Sequence, residues 1–132
     1  MIVLDTHTLI WWASGDVEQL SAAALQAIER ELDDGQIFVS SISAWELSML
    51  VAKGRIALSM DVAEWLSYVD DIEAVSFVPV DNEIAVKSTE LPGEFHKDPA
   101  DRLIVATARK LAAPLVTADE KIRAYQHVRT IW

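Results

Sequence analysis

The stretch Ile2-Val3-Leu4-Asp5-Thr6-His7-Thr8-Leu9-Ile10 decides the fold, because it joins a buried strand to a helix through an acidic residue. Residues 2–5 contain an apolar run of strand length, and residues 7–13 follow as a short helix that carries Leu9 and Ile10. Apolar runs of similar length alternate with helical patterns through the rest of the chain. This alternation predicts an α/β protein with a parallel sheet that is covered by helices on both faces.

The remaining elements follow from apolar periodicity and from helix start and stop signals. Further strands are predicted at residues 37–40, 75–80, 115–117 and 128–131. Further helices are predicted at residues 21–32, 41–53, 61–70, 81–90, 99–111 and 119–125, with Ser21, Ser40 or Ser41, and Asp98 as N-caps. We therefore expect residues 1–132 to form one domain of three layers, α/β/α, around a mainly parallel sheet of four to five strands.

Composition excludes several classes of protein and of site. Of the 132 residues, 52% are apolar, which argues against disorder, and the five tryptophans are expected in the core or at a subunit interface. The chain has no cysteine, so disulfides, thiolate metal sites and a cysteine nucleophile are excluded. The first residues lack the basic region of a signal peptide, and no apolar run reaches the ~20 residues of a membrane helix. We expect a cytoplasmic protein.

Four acidic residues occur where strands end and where helices begin. Asp5 ends the first strand, and Asp119 follows the strand at residues 115–117. Glu46 and Asp101 lie in the first or second turn of their helices. In an α/β sheet these positions share one edge, so the four carboxylates would repel one another unless a cation lay between them. Oxygen ligands suit Mg²⁺, and we expect these side chains to bind it.

Two of the acids have an alternative role as helix N-caps. Asp5 can cap the helix that follows it, although Thr6 and Thr8 are equally suited to that position and would free Asp5 for another task. Asp119 can cap the helix that follows it, and its side chain would then serve either the cap or the site. Thr117 offers a hydroxyl that can support a neighbouring carboxylate or a water molecule in the site.

Glu46 falls within the predicted apolar stripe of its helix. That stripe consists of Ile42, Trp45, Met49 and Leu50. A carboxylate buried there without a partner would be costly, and a metal ion or a proton would relieve the cost. The alternative is a glutamate at the edge of the stripe that reaches solvent.

The charge of the chain is unevenly distributed. The net charge is −10, yet residues 97–132 carry seven basic and four acidic residues, whereas residues 1–96 carry four basic and seventeen acidic residues. The C-terminal part can therefore offer a local surface for phosphate groups, with Arg102, Lys97 and His96 as candidate substrate contacts. For Arg102 the alternative is an ion pair with a nearby acid. No histidine has the spacing of a zinc ligand pair.

Four segments together resemble the motifs of PIN-domain ribonucleases. They are Leu4-Asp5-Thr6, Ser43-Ala44-Trp45-Glu46-Leu47, Asp98-Pro99-Ala100-Asp101-Arg102-Leu103-Ile104 and Val116-Thr117-Ala118-Asp119. The similarity runs over nearly the whole chain and is greatest to the VapC-like toxins of prokaryotic toxin–antitoxin pairs.

This resemblance implies a PIN-like fold and an endoribonuclease that hydrolyses RNA phosphodiester bonds with Mg²⁺ or Mn²⁺. It also implies a homodimer that a small cognate antitoxin inhibits. In such an enzyme Asp5, Glu46, Asp101 and Asp119 would bind the metal, with Thr117 as a supporting hydroxyl. We expect Asp5 and Asp101 to hold the principal ion, which would activate the attacking water.

Other functions stay open beside this one. A phosphoaspartyl enzyme would need a second aspartate two residues after Asp5, where His7 stands. A response-regulator receiver would need a lysine just after the strand at residues 115–117, and none is present. The remaining alternatives are a PIN-fold RNA-processing nuclease without an antitoxin and a non-catalytic PIN-fold protein-binding module.

Overall fold

The computed structural model describes all 132 residues, from Met1 to Trp132. Its strands are β1 (Ile2–Leu4), β2 (Ile37–Ser40), β3 (Val75–Val78), β4 (Leu115–Val116) and β5 (Thr130–Ile131). Its α-helices are α1 (Thr6–Ala13), α2 (Ala22–Leu32), α3 (Ile42–Ala52), α4 (Val62–Asp70), α5 (Asn82–Thr89), α6 (Pro99–Leu111) and α7 (Glu120–Arg123). A 3-10 helix at Val17–Gln19, which was not predicted from the sequence, lies between α1 and α2. None of the helices combines the length and the apolar content that crossing a membrane requires.

The five strands form one sheet in the order β3-β2-β1-β4-β5, and every neighbouring pair is parallel. Leu4 of β1 lies beside Val39 of β2 on one side and Val116 of β4 on the other. The chain builds the sheet outward from β1 in one direction and then returns to add β4 on the opposite side. Ligands of open α/β sheets bind where the strand order reverses in this way. Here that point lies beyond the carboxyl ends of β1 and β4.

Helices cover both faces of the sheet, and each face has its own apolar core. One core contains Leu9 of α1, Ile28 of α2 and Trp65 of α4. The other contains Ile84 of α5 and Ile104 of α6. The predicted α/β fold, with helices on both faces of a mainly parallel sheet of four to five strands, is therefore confirmed, and the sheet has five strands that are all parallel.

Three predicted elements lack two residues at one end in the structure. Strand β3 ends at Val78 instead of residue 80, because Pro79 has no N–H group to donate to a neighbouring strand. Helix α7 ends at Arg123 instead of residue 125, because the buried Tyr125 turns away to pack in the core of α5 and α6. Strand β5 is limited to Thr130–Ile131, the two residues that pair with β4.

The buried face of α3 differs from the predicted one. Ser43 and Leu47 are buried, whereas Trp45 is 56% exposed. The predicted apolar stripe was wrong, because α3 carries apolar residues on all sides and periodicity alone could not distinguish its faces. Glu46 is half-buried and precedes the buried Leu47, so it lies at the border of the core.

Candidate active site

An acidic cleft lies at the carboxyl edge of the sheet, where the loops after β1 and β4 meet. Its volume is about 360 Å³, and it is lined by Asp5, Thr6, His7, Trp11, Glu46, Asp98, Asp101, Ala118 and Asp119. The four acids singled out in the sequence all lie here, and Asp98 adds a fifth carboxylate. No lysine or arginine lines the cleft. A larger cleft of about 510 Å³ beside Trp65 carries no carboxylate or imidazole and offers no comparable chemistry.

Asp5 is buried and serves as the N-cap of α1. Its Oδ1 atom accepts a hydrogen bond from the Thr8 N–H at 2.9 Å, and the Thr117 hydroxyl donates to its Oδ2 atom. The expectation that Thr6 or Thr8 would free Asp5 from capping was wrong, because Asp5 is the residue with extended backbone directly before the helix. The Thr8 hydroxyl donates to the Val116 carbonyl instead, at 3.1 Å. Burial raises the pKa of Asp5, while the hydrogen bonds from Thr117 and Thr8 act in the opposite direction.

Thr117 connects Asp5 to Asp119. Its hydroxyl donates to Asp5 and accepts the Asp119 N–H at 3.1 Å. Asp119 caps α7, since its Oδ1 atom accepts from the N–H groups of Lys121 at 2.8 Å and Ile122 at 3.2 Å. The cap uses only Oδ1, and Asp119 also lines the cleft. The cap is thus observed, and a role of the Asp119 side chain in the site stays a prediction.

Glu46 is tied to the first helix by Thr6. The Thr6 hydroxyl donates to Glu46 Oε1 at 2.5 Å, and its oxygen lies 2.8 Å from the hydroxyl oxygen of Ser43. Burial raises the pKa of Glu46, and the negative charges of Asp98 and Asp5 raise it further. This role of Thr6 could not be predicted from the sequence, because a contact between residues 40 apart leaves no local pattern.

Asp101 lies among the other carboxylates of the cleft. It lies in the first turn of α6, and its N–H donates to Oδ1 of the capping residue Asp98 at 2.9 Å. Burial, reinforced by the neighbouring carboxylates with Asp98 foremost, raises the pKa of Asp101 to about 7. His96 Nε2 lies 3.0 Å from Asp101 Oδ2. This separation is within ion-pair distance, and the buried Nε2 atom makes no hydrogen bond.

The donor set has the chemistry of a site for a hard cation, although the side chains do not surround one point. No group of three or more histidine, aspartate or glutamate side chains has the geometry to hold a metal ion. Asp5, Glu46 and Asp119 are each hydrogen-bonded to other protein groups. Five carboxylates with no basic side chain among them would still attract a divalent cation, and oxygen donors fit Mg²⁺ or Mn²⁺. The assignment of metal ligands stays a prediction.

The three candidate substrate contacts lie outside the lining of the cleft. Arg102 donates from Nε to the Ser88 carbonyl at 2.8 Å, and from a terminal nitrogen to the carbonyls of Phe95 at 3.1 Å and His96 at 3.2 Å. It therefore holds the loop before α6 in place and forms no ion pair with a nearby acid. Lys97 is exposed next to Asp98, and His96 is half-buried.

We expect Arg102→Ala to lower the free energy of unfolding by about 1–3 kcal/mol, because the part-buried hydrogen bonds to the carbonyls of Ser88, Phe95 and His96 are lost. Urea denaturation followed by circular dichroism measures this change. Arg123→Ala removes the same side chain from an exposed position of α7 and should change stability by less than about 0.5 kcal/mol. Equal, small changes in the two variants would contradict the role given to Arg102.

The cleft also contains His7 and Trp11, neither of which was predicted to be a site residue. His7 and Trp11 lie four residues apart on α1, so the same helical face brings both to the cleft. Trp11 was expected in the core or at a subunit interface, and this expectation was wrong with respect to the core. The i, i+4 spacing directly after Asp5 is the signal that could have identified the pair.

Comparison with known proteins identifies relatives over the whole chain. The PIN domain family matches residues 2–128. Ribonuclease VapC22 of Mycobacterium tuberculosis (strain ATCC 25618 / H37Rv) is 39% identical over 133 residues, which covers 99% of this chain and 98% of that protein. The crystal structure of VapBC2 from Rickettsia felis, bound to a DNA fragment from their promoter, has a TM-score of 0.69 at 20% identity and covers 98% and 97% of the two chains. A toxin–antitoxin complex from Klebsiella pneumoniae has a TM-score of 0.64 at 21% identity, covering 97% and 95%.

Proposed function

The chain belongs to the PIN domain family, and on that premise we propose that it is a metal-dependent endoribonuclease that hydrolyses RNA phosphodiester bonds. The observation that carries the proposal is the cleft of five carboxylates without a lysine or arginine, at the point where the strand order reverses. The 39% identity to a protein named as a ribonuclease supports RNA as the substrate. An acidic cleft of this kind suits phosphodiester chemistry only when a cation compensates its charge.

We assign Asp5, Glu46, Asp101 and Asp119 as the residues that would hold Mg²⁺, with Mn²⁺ as an alternative ion. When bound, the cation would activate water and offset the negative charge that develops on the phosphate. Thr117 fixes the positions of Asp5 and Asp119 relative to each other, because its hydroxyl contacts both residues. Thr117 therefore acts as a positioning residue between the two central strands.

The basic residues around the cleft would bind the RNA backbone. Lys97 is exposed beside the cleft residue Asp98, and Lys121 and Arg123 are exposed on α7, directly after Asp119. His96 is a further candidate contact, and Arg102 would contribute by holding the His96 backbone. Contacts of this type release counterions from RNA, so binding should weaken as salt increases.

We further propose that the protein acts in the cytoplasm as the toxin of a toxin–antitoxin pair, as a homodimer that a small antitoxin inhibits. The identity to Ribonuclease VapC22 and the fold shared with the complex from Klebsiella pneumoniae support this proposal. A short reading frame immediately upstream of the coding sequence is expected for a toxin. An RNA-processing nuclease without an antitoxin would lack it.

The proposal is tested by incubating a labelled structured RNA with purified protein in Mg²⁺, in Mn²⁺ and in EDTA. We expect cleavage with either ion, none in EDTA, and recovery when Mg²⁺ is added in excess of the chelator. Cleavage that persists in EDTA would contradict the metal requirement. No cleavage under any condition, from folded protein that is free of antitoxin, would contradict the nuclease function and favour a binding module.

A further inference from the structure

Trp11 forms an aromatic wall of the acidic cleft. It lines the cleft together with His7, and the centroids of the two rings are 5.8 Å apart at an interplanar angle of 51°. The ring of Trp132 lies 6.1 Å from Trp11, and Trp132 itself packs against the apolar core of α1, α2 and α4. Trp11 therefore has two tilted aromatic neighbours, the exposed His7 and the core-packed Trp132.

Packing of the hydrophobic core does not account for the position of Trp11. The adjacent Trp12 packs against the core of α1, α2 and α4, whereas Trp11 belongs to neither of the two cores. Trp11 is partly exposed, and the only other apolar residue that lines the cleft is Ala118. A large aromatic side chain that faces a polar cleft, instead of packing inside, is available to contact a ligand.

The charge of the cleft restricts how RNA can be held there. Five carboxylates repel the phosphates, and no lysine or arginine lines the cleft to attract them. The base is the uncharged part of a nucleotide, and its π face stacks on aromatic side chains. A stacked base can therefore bring its phosphate to the acids without a basic side chain inside the cleft.

We propose that Trp11 is a stacking platform for one base of the RNA substrate, next to the phosphate that is cleaved. This inference rests on the proposed nuclease function and adds a substrate-binding residue to it. A base must be unpaired and unstacked from its neighbours to lie on a protein ring. Trp11 thus directs cleavage to single-stranded segments, loops or ends of RNA in preference to duplex.

The first test measures RNA binding without turnover. Fluorescence anisotropy of labelled oligo(A) and oligo(U), each of about 12 nucleotides, reports the Kd of Asp5→Asn protein in Mg²⁺, a background chosen to prevent cleavage. In that background Trp11→Ala should weaken binding about 5- to 150-fold, which corresponds to the loss of one stacked base. Trp11→Phe should stay within roughly threefold of the Asp5→Asn parent, because the phenyl ring also stacks. Trp45→Ala, an exposed tryptophan outside the cleft, is the matched control and should change little.

The second test separates stacking from a structural effect. Oligonucleotides that lack one base at a time should reveal a position where the missing base weakens binding to the parent protein. At that position Trp11→Ala should add no further loss, and circular dichroism should show unchanged folding. Unchanged affinity in Trp11→Ala, or a penalty for the missing base that persists in that variant, would overturn the stacking role. Protein that binds oligonucleotides through Trp11 but cuts no RNA would retain this role and overturn the nuclease function.

Discussion

Asp5→Asn should reduce the rate of RNA cleavage on the order of 10³-fold while the protein stays folded. Asp5 is a buried acid of the cleft that accepts hydrogen bonds from Thr8 and Thr117, and the change removes its negative charge without changing its size. The amide oxygen of asparagine can still accept the Thr8 N–H, so α1 keeps its N-cap. The amide nitrogen cannot accept the Thr117 hydroxyl, which we expect to cost about 1 kcal/mol of stability. Cleavage of labelled RNA in Mg²⁺, beside urea denaturation, measures both effects.

Asp61→Asn is the matched control for this experiment. Asp61 caps α4 through the Ala63 N–H at 2.7 Å, and it lies outside the lining of the acidic cleft. The control therefore changes the same type of residue, in the same type of cap, away from the site. Wild-type activity is expected for it. Full activity in Asp5→Asn would remove Asp5 from the mechanism, and equal losses in both variants would point to instability as their cause.

The fold could be predicted because its signals are local. The run Ile2-Val3-Leu4 and the helix after it can be read directly from the sequence, and the same is true of Asp98-Pro99 at the start of α6. Parallel strands must be joined by crossovers, so the alternation of strands and helices was enough to predict the sheet and its covering. The common edge of the sheet then followed, which is why the predicted acids meet in one cleft.

The details of the cleft could not be predicted because they depend on contacts between distant segments. The Thr6 hydroxyl binds Glu46, which is 40 residues away, and Thr117 binds Asp5 across 112 residues. Arg102 was predicted to be a phosphate ligand or an ion-pair partner. Its charge is evident from the sequence, whereas the backbone carbonyls that lack another donor are not. Its partners are carbonyls of residues 88, 95 and 96, which only the folded loop presents.

Asp101→Asn should abolish cleavage and yet stabilise the metal-free protein. The pKa of Asp101 is about 7 in the folded protein, against an ordinary value of 3.8, so folding favours its protonated form. The stability that Asp101 contributes is thus fully present below about pH 4 and is lost as the pH rises through about 7. Asparagine carries no charge at either pH and avoids that loss. Allowing for the partial exposure of the side chain, we expect Asp101→Asn to be about 1–3 kcal/mol more stable than wild type at pH 8, with little difference at pH 4.

Urea denaturation in EDTA at pH 4 and at pH 8 measures this difference, with Asp70→Asn as a control at an exposed position outside the cleft. The free energy of unfolding of the control should change with pH by the same amount as that of wild type. Equal stability of wild type and Asp101→Asn at pH 8 would contradict this prediction. It would show that the negative charges of the cleft acids are already neutralised without a metal ion. Mg²⁺ at pH 8 should stabilise wild type more than Asp101→Asn, because an ion that binds only the folded state adds its binding free energy to stability. The same carboxylates would then both destabilise the metal-free fold and attract the ion needed for cleavage.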